Sequence, residues 1–199
     1  MVAPATAGGE LTSREISIAV GILVALMFSK NAYTACFNSF YTFYLIETFK
    51  LSVSSSQMML FVFMGATALG TLVGGPLGDR IGRRRIIWFS ILGALPFTLM
   101  LPYVNLFWTG VLTVVISLIM ASAFGAILVY AMELLPKRIG LIAGLFYGLS
   151  FGLGGISAAL LGQLADHRGI VTVFQVCSFL PAVGLLAWAL PEIKNSRSS

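Results

Sequence analysis

Charge is what this sequence has least of. Of 199 residues only 10% are Asp, Glu, Lys or Arg, against 58% hydrophobic. Soluble domains carry about 25% charged residues, so these charges are too few to coat a water-exposed surface of this size. Soluble enzymes, nucleic-acid readers and disordered segments are disfavoured together. Imidazole is nearly absent: His167 is the one histidine, which leaves little for proton relays or metal ligation. Thiols are also few. Cys36 and Cys177 both lie inside apolar runs without CxxC or metal-ligand spacing, so a disulfide scaffold and a zinc site have no support. No metal, no cofactor and no enzymatic activity are expected.

Long apolar runs fill the space that charge leaves. A helix needs about 20 residues to cross the ~30 Å hydrocarbon core, and six segments fit: Ile16–Ile46, Gln57–Gly78, Ile86–Tyr103, Leu106–Tyr130, Ile139–Ala165 and Ile170–Leu190. Pro96 and Pro181 fall inside two of them, where a bundle tolerates breaks. Trp88, Trp108, Trp188 and Tyr103 lie near segment ends, as an interfacial aromatic belt requires. Ser54, Ser55 and Ser56 can cap the second helix. The expected organisation is a tail over 1–15, a six-span domain over 16–190 and a second tail over 191–199.

The net charge of +5 does not imply nucleic acid as a partner, because the bases sit in short clusters between spans. With six spans, Arg14, Arg80, Arg83, Arg84, Arg85, Lys137, Arg138, Lys194 and Arg197 share one side, while Lys50 and Arg168 lie on the other. Nine against two places both termini in the cytoplasm. A signal peptide ending near Ser29 is the weaker alternative. Glu10 and Glu15 dilute its basic region, and no small-x-small cleavage site follows.

Two stretches share the pattern G-x-L-x-D-x-x-G: Gly75 to Gly82 after span two, and Gly162 to Gly169 at the end of span five. They are 87 residues apart, and three spans per unit would insert the two units with opposite orientation, the inverted repeat of many secondary transporters. Two glycine-flanked helix ends that coincide is the plain alternative. Small residues recur every four positions in span two (Ala66, Gly70, Gly74, Gly78) and in span five (Gly140, Gly144, Gly148, Gly152). Such stripes let helices approach closely; they serve as glue or as sliding surfaces.

The first of those loops, with Gly75, Asp79, Arg80, Gly82, Arg83 and Arg84 at the required spacing, resembles the signature loop of the major facilitator superfamily. The runs Phe40–Phe49, Ile86–Tyr103, Ala121–Gly140 and Leu160–His167 resemble the C-terminal half of the fosmidomycin resistance family. The resemblance implies an all-α membrane protein whose six transmembrane helices form two inverted three-helix repeats, half of a major facilitator fold. It further implies a proton-coupled exporter of a small anionic phosphonate drug in the bacterial inner membrane. Only the family's helices seven to twelve are represented, so the expected partners are the lipid bilayer, an anionic substrate, protons, and a missing N-terminal half or a second copy. A non-transporting remnant or assembly half is the alternative. The signature loop, by the same resemblance, latches one half against the other.

Lys30 is the most informative position. An ammonium near the bilayer midplane costs about 2.5–3.5 kcal/mol and marks a functional site, and an anionic substrate would give it a task. Alternatively, the 31-residue first segment slides, and Lys30 snorkels to the cytoplasmic headgroups. At about 100° per residue, Lys30, Asn31, Thr34, Asn38, Tyr41 and Thr42 share one polar arc, expected to line a wet cavity or to bond between helices. Ser122, Tyr130 and Glu133 fall on one side of span four. There Tyr130 either donates to a substrate oxygen or anchors at the interface, and Glu133 forms a loop ion pair. Finally, Gly148-Leu-Ser150-Phe-Gly152 is a GxSxG string, but it sits mid-helix, where a serine nucleophile elbow does not form.

Overall fold

In lipid, backbone polar groups must be satisfied within the segment, so apolar runs of this length fold as helices. A computed structural model of the chain describes residues 13–134 and 138–189, with the side chains of 13, 15 and 186–189 set aside. The expected tails therefore lie almost wholly outside the described residues. Helix α1 spans Ser13–Phe49 and α2 spans Val53–Ile81. A third span is built in pieces: α3 (Arg83–Leu92), α4 (Leu95–Met100) and a 3-10 turn, η1 (Leu101–Tyr103). Then come α5 (Leu106–Leu134), α6 (Ile139–Arg168), α7 (Ile170–Ser178) and a second 3-10 segment, η2 (Leu180–Ala189). Five of these stretches are long and apolar enough to cross a membrane.

Three expectations change at the ends of elements. The cap of α2 is Ser52, not Ser54 to Ser56: its hydroxyl accepts from the Ser55 N–H at 3.2 Å, and the three serines form the first turn instead. The sixth span is not one continuous helix. Pro181 has no N–H to extend α7 and its ring crowds the preceding turn, so the chain tightens after Ser178, with Ala182 N–H on Phe179 O at 2.9 Å. The signature stretch is not a loop over Gly75 to Arg85 either. α2 runs through Pro76 to Ile81, and only Gly82 separates it from α3.

The internal repeat appears in the backbone. Gly82 (φ 100°) and Gly169 (φ 83°), the last residues of the two G-x-L-x-D-x-x-G copies, are the positive-φ glycines among the described residues. Each donates its N–H four residues back, to Gly78 O at 3.1 Å and Ala165 O at 2.9 Å, and each opens the next helix. Proline then breaks the third element of both units. The packing follows the same exchange of units: α2 lies chiefly on α5 and α1 on α6, while α3 lies on α5 and α7–η2 on α1.

The small-residue stripes behave differently in the two units. Gly70 and Gly74 of α2 touch the backbone of α5 at Leu118 and Ser122 so closely that an added Cβ would fall under 3.0 Å from it. On α6, a Cβ on Gly140, Gly144, Gly148 or Gly152 would meet no described atom within 4 Å. The first stripe is glue within this chain; the second faces outward.

Candidate functional site

The buried apolar residues form two clusters along the bundle, with a gap between them. One joins Ala19 to Met27 of α1 with α3, the second half of α5 and the start of α6. The other joins Tyr33 to Leu45 of α1 with the first half of α5 and α7. Between them α1 carries Ser29, Lys30 and Asn31. Tyr33 and Phe37, four residues apart, fill the core side of the helix, and Phe37 stacks on Phe63 at 4.7 Å between ring centres. Asn31, Thr34 and Asn38 are left facing the gap. A cavity of about 570 Å³ opens there, walled by α1, α2, α5 and α6, with Phe63, Thr67, Met120, Phe124, Tyr147 and Phe151 among its lining.

Four of the six residues expected at a substrate site line this cavity: Lys30, Asn31, Thr34 and Asn38. Lys30 is buried, with 8% of its surface exposed, and so does not reach for the headgroups. Its ammonium stands over the ring of Phe124, 4.6 Å from the centroid. A desolvated cation–π contact is worth about 2 kcal/mol, which offsets most of the ~2.5–3.5 kcal/mol that a midplane lysine costs. Among the described residues no Asp or Glu lines the cavity. Beside Lys30, the carboxamide nitrogen of Asn31 is buried with no hydrogen-bond partner among the described residues. Thr34 gives its hydroxyl to the carbonyl of Lys30 at 3.0 Å.

Tyr41 and Tyr130 are not brought to the cavity. Tyr41 has the expected angle on α1 but sits at a depth where α1 and α5 have closed on each other, its hydroxyl 2.9 Å from that of Thr113. Tyr130 is buried in the first apolar cluster, nearly two turns of α5 beyond Phe124. Ser122 is likewise diverted, sharing a 2.6 Å hydrogen bond with Ser90 of α3. Periodicity gives the face of a helix but not its depth, and depth decides the two tyrosines; Ser122 lies at the depth of the lining residues Ala121 and Phe124 but is turned toward α3. Phe124 and Tyr147 are the site residues that the sequence did not reveal. Both are apolar or aromatic residues in apolar runs, with no local signal to distinguish them.

The signature stretch forms a separate cluster at one end of the bundle. Arg83, at the start of α3, pairs with Asp79 of α2 at 3.1 Å and with Glu133 near the end of α5. Glu133 thus ties two spans together; Lys137, a candidate for the loop ion pair expected of it, lies outside the described residues. Arg80 is exposed, and Gly75 is helical with open space beside it; of the two glycines, Gly82 alone has a conformation that requires glycine. Ser150 of the GxSxG string is helical, donates to Phe146 O at 2.7 Å, and is about 25 Å along α6 from the exposed His167 at 1.5 Å per residue.

Comparison with known proteins adds to this geometry. The model of the Major Facilitator Superfamily matches residues 18–198. The chain is 55% identical over 191 residues to the fosmidomycin resistance protein of Escherichia coli (strain K12), a match that covers 96% of this chain and 47% of that protein. It is 40% identical over 159 residues to an MFS-type transporter of Bacillus subtilis (strain 168), covering 80% and 39%. With the gallate transporter of Pseudomonas putida it shares 27% identity over 153 residues, covering 74% and 34%. The chain spans less than half the length of these relatives.

Proposed function

Because this chain belongs to the Major Facilitator Superfamily, we propose that its spans form one wall of a path for a small anion, with Lys30 as the residue that binds it. The superfamily is one of multi-pass membrane transporters, not of enzymes. One observation carries the proposal: a buried ammonium faces a cavity that no carboxylate lines among the described residues. An ammonium held away from water and without a counter-ion is completed by an anion. Asn31, Thr34 and Asn38 line the same cavity beside it. The name of the Escherichia coli relative points to fosmidomycin, a phosphonate, as the kind of substrate; export across a bacterial inner membrane is part of the proposal, with both termini in the cytoplasm by the excess of bases on that side.

Export in exchange for protons constrains where the proton sits. An antiport site must lose its proton when the substrate binds. At Lys30 the linkage has the opposite sign, because an anion favours the protonated ammonium. Lys30 is therefore the anion-binding group and not the group that exchanges the coupling proton. Purified chain in lipid nanodiscs, titrated with fosmidomycin, tests the reading. Lys30→Met should weaken binding at least tenfold, and Lys30→Arg should retain part of it. Equal affinity of wild type and Lys30→Met would remove Lys30 from the site.

A second reading, a non-transporting assembly half, is favoured by the outward-facing glycine stripe of α6. Drug tolerance of bacteria expressing this chain, alone and together with a matching N-terminal half, separates the two. Tolerance in neither case leaves only the assembly role.

A further inference from the structure

Lys30 has an occupant for its ammonium already: the face of Phe124. That ring does not stand alone. Tyr147 of α6 meets it edge-on, 5.8 Å between ring centres at 65°, so α5 and α6 together hold the aromatic face against the cation. Aromatic faces carry negative partial charge. An anion approaching from this side meets that repulsion and competes with the ring for the ammonium. At equal distance a doubly charged anion gains twice the Coulomb energy of a singly charged one, while the cation–π contact that has to be surrendered is the same for both. The ring therefore acts as a threshold.

We propose that Phe124 is a specificity-determining residue: its ring holds the ammonium of Lys30 until an oxyanion of about two charges displaces it, so that chloride and other monoanions are passed over. Phosphate- and phosphonate-type groups carry such charge near neutral pH. This inference rests on the anion-binding role of Lys30 and adds the filter in front of it.

The test uses the full chain in nanodiscs, with lysine side chains labelled with carbon-13 at the ε position, at pH 7. The resonance that Lys30→Met removes belongs to Lys30, and the ring of Phe124 shifts it upfield. In the wild type, fosmidomycin should move this resonance downfield, and replacing gluconate by chloride at constant ionic strength should neither move it nor change the fosmidomycin Kd by more than twofold. In Phe124→Leu, chloride should become a competitor and weaken fosmidomycin binding at least threefold, while Phe124→Tyr keeps the wild-type behaviour. Phe124→Met, similar in volume, replaces Phe124→Leu if the latter does not fold. A wild type already sensitive to chloride, or a Phe124→Leu variant as indifferent as the wild type, would overturn the filter and leave the anion site standing. A wild-type Lys30 resonance that fosmidomycin does not move would overturn both.

Discussion

A single side chain gives the cavity of this bundle its charge. Without Lys30, α1 would be an apolar helix with a few hydrogen-bonding residues. With it, the gap between the two buried clusters becomes an electropositive cavity. The candidacy of Lys30, Asn31, Thr34 and Asn38 was legible in the sequence because polar residues on one face of an apolar helix require a polar destination. Glycine carries the other decisive residue-scale feature. Gly169 (φ 83°, ψ 161°) and Gly82 (φ 100°, ψ 131°) occupy backbone space that L side chains rarely enter. Gly169→Ala should lower stability by about 1–3 kcal/mol, and Gly82→Ala should do the same. Thermal unfolding followed by tryptophan fluorescence in micelles checks this, and unchanged midpoints would mean that the two turns are not where the structure puts them.

Between helices, close approach replaces the hydrophobic effect, since lipid tails are as apolar as the side chains that would be buried. Gly74 shows what that demands. A Cβ there meets the backbone of α5 at Ser122, which has no flexible end to yield. Gly74→Ala should therefore cost more than 2 kcal/mol, as steric insertions into packed interiors do. Gly144→Ala, on the open stripe of α6, should gain about 0.5–1 kcal/mol from helix propensity alone. If the two substitutions behave alike in unfolding midpoint, the difference between the stripes is not real. The sequence presents both stripes with equal force, and only the placement of neighbouring helices tells glue from an outward face. The broken third elements depend on each other too. Thr98 Oγ1 shares its hydrogen between Leu95 O at 2.9 Å and Ser178 O at 3.0 Å, and Ser29 donates to Leu180 O, so hydroxyls from two other spans reach carbonyls near the break before Pro181. Thr98→Val and Ser29→Ala should each lose about 0.6–1.7 kcal/mol, the range of interhelical bonds in membranes. A midpoint unchanged in both variants would show that water or backbone already satisfies those carbonyls.

At the scale of the molecule, the ends of the spans hold the two repeats together. Arg83 joins α2, α3 and α5 through Asp79 and Glu133, with 18% of its side chain exposed against 66% for Asp79 and 32% for Glu133. Exposed i,i+4 pairs contribute about 0.3–0.5 kcal/mol, so the Asp79 arm is the weaker. A double-mutant cycle on Arg83→Gln and Glu133→Gln should give a coupling of about 1 kcal/mol or more, and the Asp79–Arg83 cycle less than half of that. The reverse order would place the tie within α2 and α3 alone. The pairing of Glu133 was not legible beforehand, because Lys137 and Arg138 are nearer in the chain and a sequence ranks partners by separation.

Composition and span length determined that this protein lives in lipid. The repeated G-x-L-x-D-x-x-G pattern and an odd number of spans per copy determined the inverted arrangement of its two units. These are local or additive properties: transfer energy sums over a segment, and a glycine at positive φ constrains only its own turn. The tertiary structure alone decided which arc of α1 stays open at which depth, why Tyr41 and Tyr130 leave the cavity, and that Phe124 from a different span covers the ammonium. Those outcomes depend on where one helix meets another. Helical periodicity reports the angle of a side chain about its own axis and carries no information on the distance at which the next helix lies.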